Sequence, residues 1–241
     1  MRNYEPAMSF DAETAEWYST ATRGDEGPAV EFLASLAGGG PVLELAIGTG
    51  RIALPLAERG LHVDGVDIAA PMIDKLRAHP GAAGMGLAVG DMAEIPLEGR
   101  YRLVFVVWNS FSNLLTQDAQ VRCLESVAEH LDDDGVFVIE NFVPRDIPAG
   151  GYVEPDAVEL SGAQIGVWKH DAVNQLIEGQ HIWLGTGGIK VNPIVQRYVW
   201  PAELDLMARI AGLRLVERWE DWERRTFTGA SKSHVSVYAR A

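Results

Sequence analysis

The residues from Val42 to Ile52 read Val-Leu-Glu-Leu-Ala-Ile-Gly-Thr-Gly-Arg-Ile. An apolar run passes into a glycine-rich turn that opens a helix. Glycines let a backbone approach a ligand closely, and the first turn of a helix leaves N–H donors unpaired. Glu44 places an acid inside the apolar run, and Asp67 and Asp91 follow at the ends of the next two apolar segments. In an open parallel sheet such turns gather at the carboxyl ends of the strands, where ligands bind. The pattern points to a nucleotide-like cofactor.

These residues need a frame. Apolar strands are expected at Val42–Ala46, Leu61–Val66, Met85–Val89, Leu103–Trp108 and Val136–Val143. Helices are expected between them at 50–59, 70–78 and 117–131, with Asp132 to Gly135 as a turn. Strands alternating with helices imply a parallel sheet with right-handed crossovers. Ahead of them, helices are expected at 9–20, with Ser9 as N-cap, and at 29–37. After Pro144 the rhythm changes. Gln164–Val173, Gln180–Gly185 and Ile194–Trp200 alternate like antiparallel strands. A helix opening at Pro201 and strands at Leu213–Trp219 and His234–Tyr238 complete the chain. The fold expected is α/β: a Rossmann-like, seven-stranded, mostly parallel sheet flanked by helices, with an antiparallel insertion after the fifth strand. Residues 1–40 read as a helical lid, 41–149 and 201–241 as the cofactor domain, and 150–200 as a substrate cap or dimer contact.

Two readings of the glycine turn compete. Gly48-Thr49-Gly50-Arg51-Ile52-Ala53 fits G-x-G-x-x-A, with Asp67 nineteen residues after Gly48, as in a nicotinamide-dependent oxidoreductase. Including the strand acid gives Glu44-x-Ala46-x-Gly48-x-Gly50, which resembles the first motif of the class I S-adenosylmethionine-dependent methyltransferases. Val63 to Ile73 resembles that family's second strand and following helix. Val89 to Pro96 resembles its third acidic motif, and Tyr101 to Trp108 its fourth strand. Each motif is weak alone, but four in order across 42–143 favour the methyltransferase reading. A cofactor-binding protein without catalysis is the third alternative.

The resemblance implies a cofactor, S-adenosyl-L-methionine, and a role for each matching residue. Asp67 accepts from both ribose hydroxyls, since a carboxylate only accepts. Asp91 accepts from the adenine amine and the Met92 N–H donates to a ring nitrogen, while Ile68 and Met72 sandwich the ring. Glu44, with carbonyls near Ala46 and Trp108, holds the ammonium end, and Gly48, Thr49 and Gly50 form the close backbone. Ala46 stands where the family has its first motif glycine. Ala15-Glu16-Trp17-Tyr18 resembles a lid segment whose tyrosine touches the methionine end. Asn109, Asn113 and Tyr18 are the candidates to position the acceptor. The stretch Trp108 to Leu114 loosely resembles sugar N,N-dimethyltransferases. The implied reaction is in-line transfer of methyl to a small-molecule N or O acceptor, where alignment supplies much of the rate. A base is needed only if the acceptor arrives protonated. His170, His181, Arg197 and Tyr198 are candidates for the substrate side, though each reads more readily as an exposed strand residue.

Composition excludes other classes. The 241 residues carry 20 Lys and Arg against 34 Asp and Glu, a net charge of −14, which repels a phosphate backbone. An Asn/Asp-Pro-Pro-aromatic run, as in DNA amino-methyltransferases, is absent after the fourth strand. No nucleic-acid substrate is therefore expected. One cysteine, Cys123, permits no intrachain disulfide and reads as a buried small residue. No run approaches the ~18 apolar residues of a membrane span, and the start lacks a signal-peptide core. The six histidines show no ligand spacing, so no metal is expected. A cytoplasmic protein without membrane partners is the expectation, with a homodimer as a candidate assembly.

Overall fold

The computed structural model describes residues 4–20, 24–145, 147–159 and 162–241. Met1–Asn3 and Ala21–Arg23 of the expected lid, and Leu160 and Ser161 of the expected insertion, lie outside the described residues. Helix α1 spans Ala12–Thr20 and α2 Glu26–Ala37. The alternating part follows as β1 Val42–Leu45, α3 Ala53–Glu58, β2 Val63–Asp67, α4 Ala70–Arg77, β3 Leu87–Val89, β4 Tyr101–Val106, α5 Gln117–His130 and β5 Leu131–Phe142. Four strands come next: β6 Gly150–Glu159, β7 Gly162–Asp171, β8 Leu176–Gly185 and β9 Gly188–Arg197. Helix α6 Pro201–Ile210 and strands β10 Leu213–Trp219 and β11 Ser233–Arg240 close the chain.

The main sheet has seven strands in the order β10-β11-β5-β4-β1-β2-β3. Strands β3, β2, β1, β4 and β5 run parallel, and β11 runs antiparallel to β5 and β10. Every residue of β1 is buried, as a central parallel strand covered on both faces requires. One core cluster joins Leu124 and Val127 of α5 to Leu204 and Met207 of α6. The other joins Phe32 and Leu33 of α2, Leu56 of α3 and Ile73 of α4. The chain leaves β1 for β2 on one side and returns on the other side through β4. Leu45 is level with both Val66 and Val106, so the residues after all three strands emerge together at this switch point.

The four-stranded antiparallel sheet β6-β7-β8-β9 is the expected insertion, with one strand more than the sequence suggested. The additional strand, β6, carries Gly150, Gly151 and Pro155, residues that weaken a strand pattern. As an edge strand it tolerates a proline without losing a ladder bond. Arg197 anchors the far end of the insertion. It is 5% exposed and bonds Glu203 at 2.7 Å, Gln120 at 2.5 Å and Gln175 at 3.1 Å.

Other expectations shift locally. Helix α1 begins at Ala12, and Asp11 Oδ1 accepts the Thr14 N–H at 2.8 Å. Ser9 is not the cap; its hydroxyl donates to the Pro193 carbonyl at 2.5 Å. Helix α3 starts three residues late because the glycine turn occupies the positions before it. Strand β4 stops at Val106 because Trp108 and Asn109 take positive φ values. The Asp132 to Gly135 turn is instead the opening of β5, where Leu131 pairs with Tyr101.

Candidate active site

The segments after β1, β2, β3 and β4 open onto one cavity of about 490 Å³. That size suits a small-molecule ligand. At its floor lies Glu44, 2% exposed inside β1. Its Oε2 is buried and has no hydrogen-bond partner among the described residues. Burial pushes the carboxyl well above the usual carboxylate range, against the pull of the Arg51 charge and the Ala53 N–H. A buried carboxylate without a full partner set is costly, and a cation at the free oxygen relieves that cost.

The glycine turn follows directly. Ala46, Gly48 and Gly50 have φ of +53°, +58° and +87°. At Gly48 a side chain would meet nothing within 4 Å, whereas at Gly50 a Cβ would stand 2.5 Å from Leu76 Cδ1. Gly50 is thus required by space and by conformation together. Ala46 holds a left-handed conformation that costs an L-residue roughly 1–2 kcal/mol.

Asp67 ends β2 and is 8% exposed. Its Oδ2 accepts the Gly48 N–H at 2.8 Å and its Oδ1 the Ala69 N–H at 2.9 Å. Burial raises its carboxyl, and these two bonds oppose the rise. Each oxygen keeps a lone pair, so the group presents two fixed acceptors side by side. Ile68 and Met72 border the cavity next to it, and Asp91 and Met92 border it beyond β3. Asp91 Oδ1 accepts the Ala93 N–H at 2.8 Å, which fixes the acid at the turn.

The exit of β4 is pinned to β5. The Trp108 N–H donates to Glu140 Oε2 at 2.8 Å, and Asn109 Oδ1 accepts the Phe142 N–H at 2.7 Å. Asn109 lines the cavity, but with its carbonyl already engaged it has its amide NH₂ to offer. Asn113, Tyr18 and Thr49 also line the cavity. Every residue expected to bind the cofactor or position the acceptor, Gly50 apart, borders this single space, and of the four substrate-side candidates His181 does. Gly50 shapes the turn from behind.

Two groups lie beyond the reach of the motif pattern. Arg51, a variable position within the glycine pattern, lines the cavity with its guanidinium 5.5 Å from the Trp108 ring centre. It is held by Asp25 at 2.9 Å and Glu26 at 3.5 Å. From the inserted sheet, His181, Ile194 and Gln196 form the roof. His170 and Tyr198 do not join them: they bond each other at 3.0 Å and border a separate groove. Arg197 is the structural anchor described above. Among the described residues no group of three His, Cys, Asp or Glu could hold a metal ion.

Residues 42–135 match the family described as "Methyltransferase domain". The solved CcbJ methyltransferase from Streptomyces caelestis superposes with a TM-score of 0.94 and 39% identity, covering 99% of this chain and 100% of that one. The chain belongs to the class I S-adenosylmethionine-dependent methyltransferases. The methyltransferase is also 25% identical to a cypemycin N-terminal methyltransferase of Streptomyces sp, over 84% of each chain. It is 29% identical to a dTDP-3-amino-3,6-dideoxy-alpha-D-glucopyranose N,N-dimethyltransferase of Streptomyces fradiae, covering 69% of this chain and 68% of that one. Membership sets aside the nicotinamide and non-catalytic readings. S-adenosylmethionine is its cofactor, and the free oxygen of Glu44 and the paired acceptors of Asp67 fit that molecule's ammonium and diol. No helix among the described residues is long and apolar enough to cross a membrane.

Proposed function

We propose that this methyltransferase acts on an amine of a small molecule. The observation that carries the reading is the continuity of the cavity. Carboxylates suited to the cofactor, Glu44, Asp67 and Asp91, border the same space as Asn109, Asn113, Tyr18 and His181. The names of the two curated relatives, one acting at a peptide N-terminus and one on an amino sugar, support nitrogen as the acceptor atom. Bound here, the cofactor supplies a methyl group on a sulfonium, open to in-line displacement.

In this reading Glu44 and the backbone near Ala46 and Trp108 hold the ammonium, and Arg51 faces the carboxylate. Asp67 takes the ribose hydroxyls. Asp91 and the Met92 N–H take the adenine edge, with Ile68 and Met72 on its faces. Thr49 and the Gly48–Gly50 backbone line the methionine arm. The N-terminal segment, through Pro6, Phe10 and Tyr18, and the inserted sheet, through His181, Ile194 and Gln196, close over the cavity as lid and cap, while α2 belongs to the core. Ser9, Lys190 and Asn192 lace the two together: Asn192 donates to the Ser9 carbonyl at 3.2 Å, and Lys190 meets Glu13 at 2.9 Å. The enclosed space holds nucleophile and methyl in line, the main lever for a reaction whose leaving group is already activated.

The test is incubation with S-adenosylmethionine and a panel of amino-sugar nucleotides, peptides with free N-termini, phenols and carboxylates, read by mass spectrometry. Methylation of amines is expected. Transfer confined to the oxygen acceptors overturns the reading.

A further inference from the structure

His181 stands on β8 and Asp156 on β6, two strands apart with β7 between them. Strands lie ~4.8 Å apart, so such residues ordinarily stand nearly 10 Å from each other. Here His181 Nδ1 and Asp156 Oδ2 are 2.9 Å apart. The residue of β7 opposite His181 is Gly166, which puts no side chain between them. A bulge between Pro155 and Ala157 sets Asp156 toward this face. Trp168 lies over Gly166 and Gly179, where any Cβ would strike its ring, and meets the His181 ring edge-on at 5.0 Å. Trp183 flanks the imidazole at 5.9 Å, and Gln164 donates to Asp156 at 3.2 Å.

A carboxylate only accepts, so Nδ1 carries the proton and Nε2 keeps its lone pair. Both hydrogen-bond contacts of the ring are at Nδ1, with Asp156 at 2.9 Å and, more distantly, the Gln164 amide nitrogen at 3.4 Å; Nε2 has no partner among the described residues, and His181 lines the cavity roof. We propose that His181, oriented by Asp156, takes the proton from the acceptor's ammonium, an inference that rests on the amine reading above. The proton passes from the acceptor nitrogen to Nε2. The freed lone pair forms the N–C bond as the C–S bond breaks, the sulfur keeps that electron pair, and the proton then leaves His181 for solvent. The other charged groups near it are Glu154, on the same face of β6 by register, and Lys190 on β9 with its partner Glu13 on α1.

Two measurements test this. Side-chain NMR of ¹⁵N-histidine-labelled protein, assigned by loss of the signal in His181→Gln, is expected to show the Nδ1–H tautomer, with Asp156→Asn mixing the two forms. An Nε2–H tautomer in the wild type overturns the proposal. Kinetics use S-adenosylmethionine with dTDP-3-amino-3,6-dideoxyglucose and with a short peptide bearing a free N-terminus as probes. His181→Gln should lower kcat/KM by ~100-fold near neutral pH, in the range of general base catalysis. The deficit should close at alkaline pH, where the amine sheds its own proton, while S-adenosylhomocysteine affinity stays unchanged. A deficit equal at every pH, or none, overturns the proposal. A wild type that methylates no amine overturns the amine reading and this inference with it; an active wild type beside an equally active variant overturns this inference alone.

Discussion

Replacing Glu44 with glutamine separates what the residue does for the ligand from what it costs the fold. The carboxyl is buried, one oxygen is unpartnered, and burial holds it well above the usual carboxylate range. Without ligand, folded protein therefore retains a proton that the unfolded chain has already lost. The folded state then binds more protons, and stability falls as pH rises from the ordinary carboxylate range upward. The amide of Glu44→Gln has no charge to suppress, so the ligand-free variant should melt higher than the wild type at neutral and alkaline pH, and the gap should vanish in acid. Binding should move the opposite way. Truncating one partner of a buried charge pair costs about 2–5 kcal/mol, which is roughly 30- to 4000-fold in affinity. Calorimetry with S-adenosylhomocysteine should place the variant toward the lower end, because the amide keeps one acceptor. Pairing with an ammonium requires Glu44 to ionise, so the wild type should release protons on binding, seen as a heat that depends on the buffer's ionisation enthalpy. Unchanged affinity, or proton release persisting in Glu44→Gln, would refute this account.

Further expectations follow from the same geometry. Asp67→Ala should lose more than ~100-fold in affinity for S-adenosylhomocysteine, since bonds to a charged acceptor contribute about 1.5–3 kcal/mol each; circular dichroism should stay native, and unchanged affinity removes the ribose assignment. Ala46→Gly should raise stability in denaturant titration by about 1 kcal/mol, because glycine accepts φ of +53° without the strain that alanine bears. His234 is fully buried beside Ser236, and burial pushes its imidazole down to about 3 from an ordinary 6.5. Below pH 6.5 the unfolded chain takes up a proton that the folded one refuses. Stability should then fall toward pH 3 by up to roughly 5 kcal/mol, and His234→Gln should flatten that slope in acid melts.

The parallel sheet was readable because doubly covered strands such as β1 and β4 are mainly apolar runs, with Glu44 and Arg102 their charged interruptions. The convergence of Glu44, Gly48, Asp67 and Asp91 on one cavity was readable because they lie at fixed offsets from strand ends, so one-dimensional spacing encodes three-dimensional proximity. Arg51 escaped because its role depends on Asp25 and Glu26 from α2, a helix whose approach no local pattern announces. The pairing of His181 with Asp156 escaped for a different reason. It depends on what is missing at Gly166, and on a bulge, neither of which hydrophobic alternation records. Strand β6 was lost to its own glycines and proline, which read as turn residues until the neighbouring β7 supplies the hydrogen bonds.

The four-stranded sheet leaves the main sheet after β5 and returns at Arg197, whose locked side chain fixes the return. For an evolving lineage this makes it an exchangeable part. The hairpin end between β8 and β9 can lengthen, and cavity-facing residues of the sheet can drift, without disturbing the ends of the parallel strands, whereas the turn between β7 and β8 is tied to Arg197 through Gln175. The stretch matched by the family, 42–135, stops before this sheet begins. Descendants can thus keep one methyl donor while changing the molecule that receives the methyl, and divergence should concentrate on the roof rather than the floor.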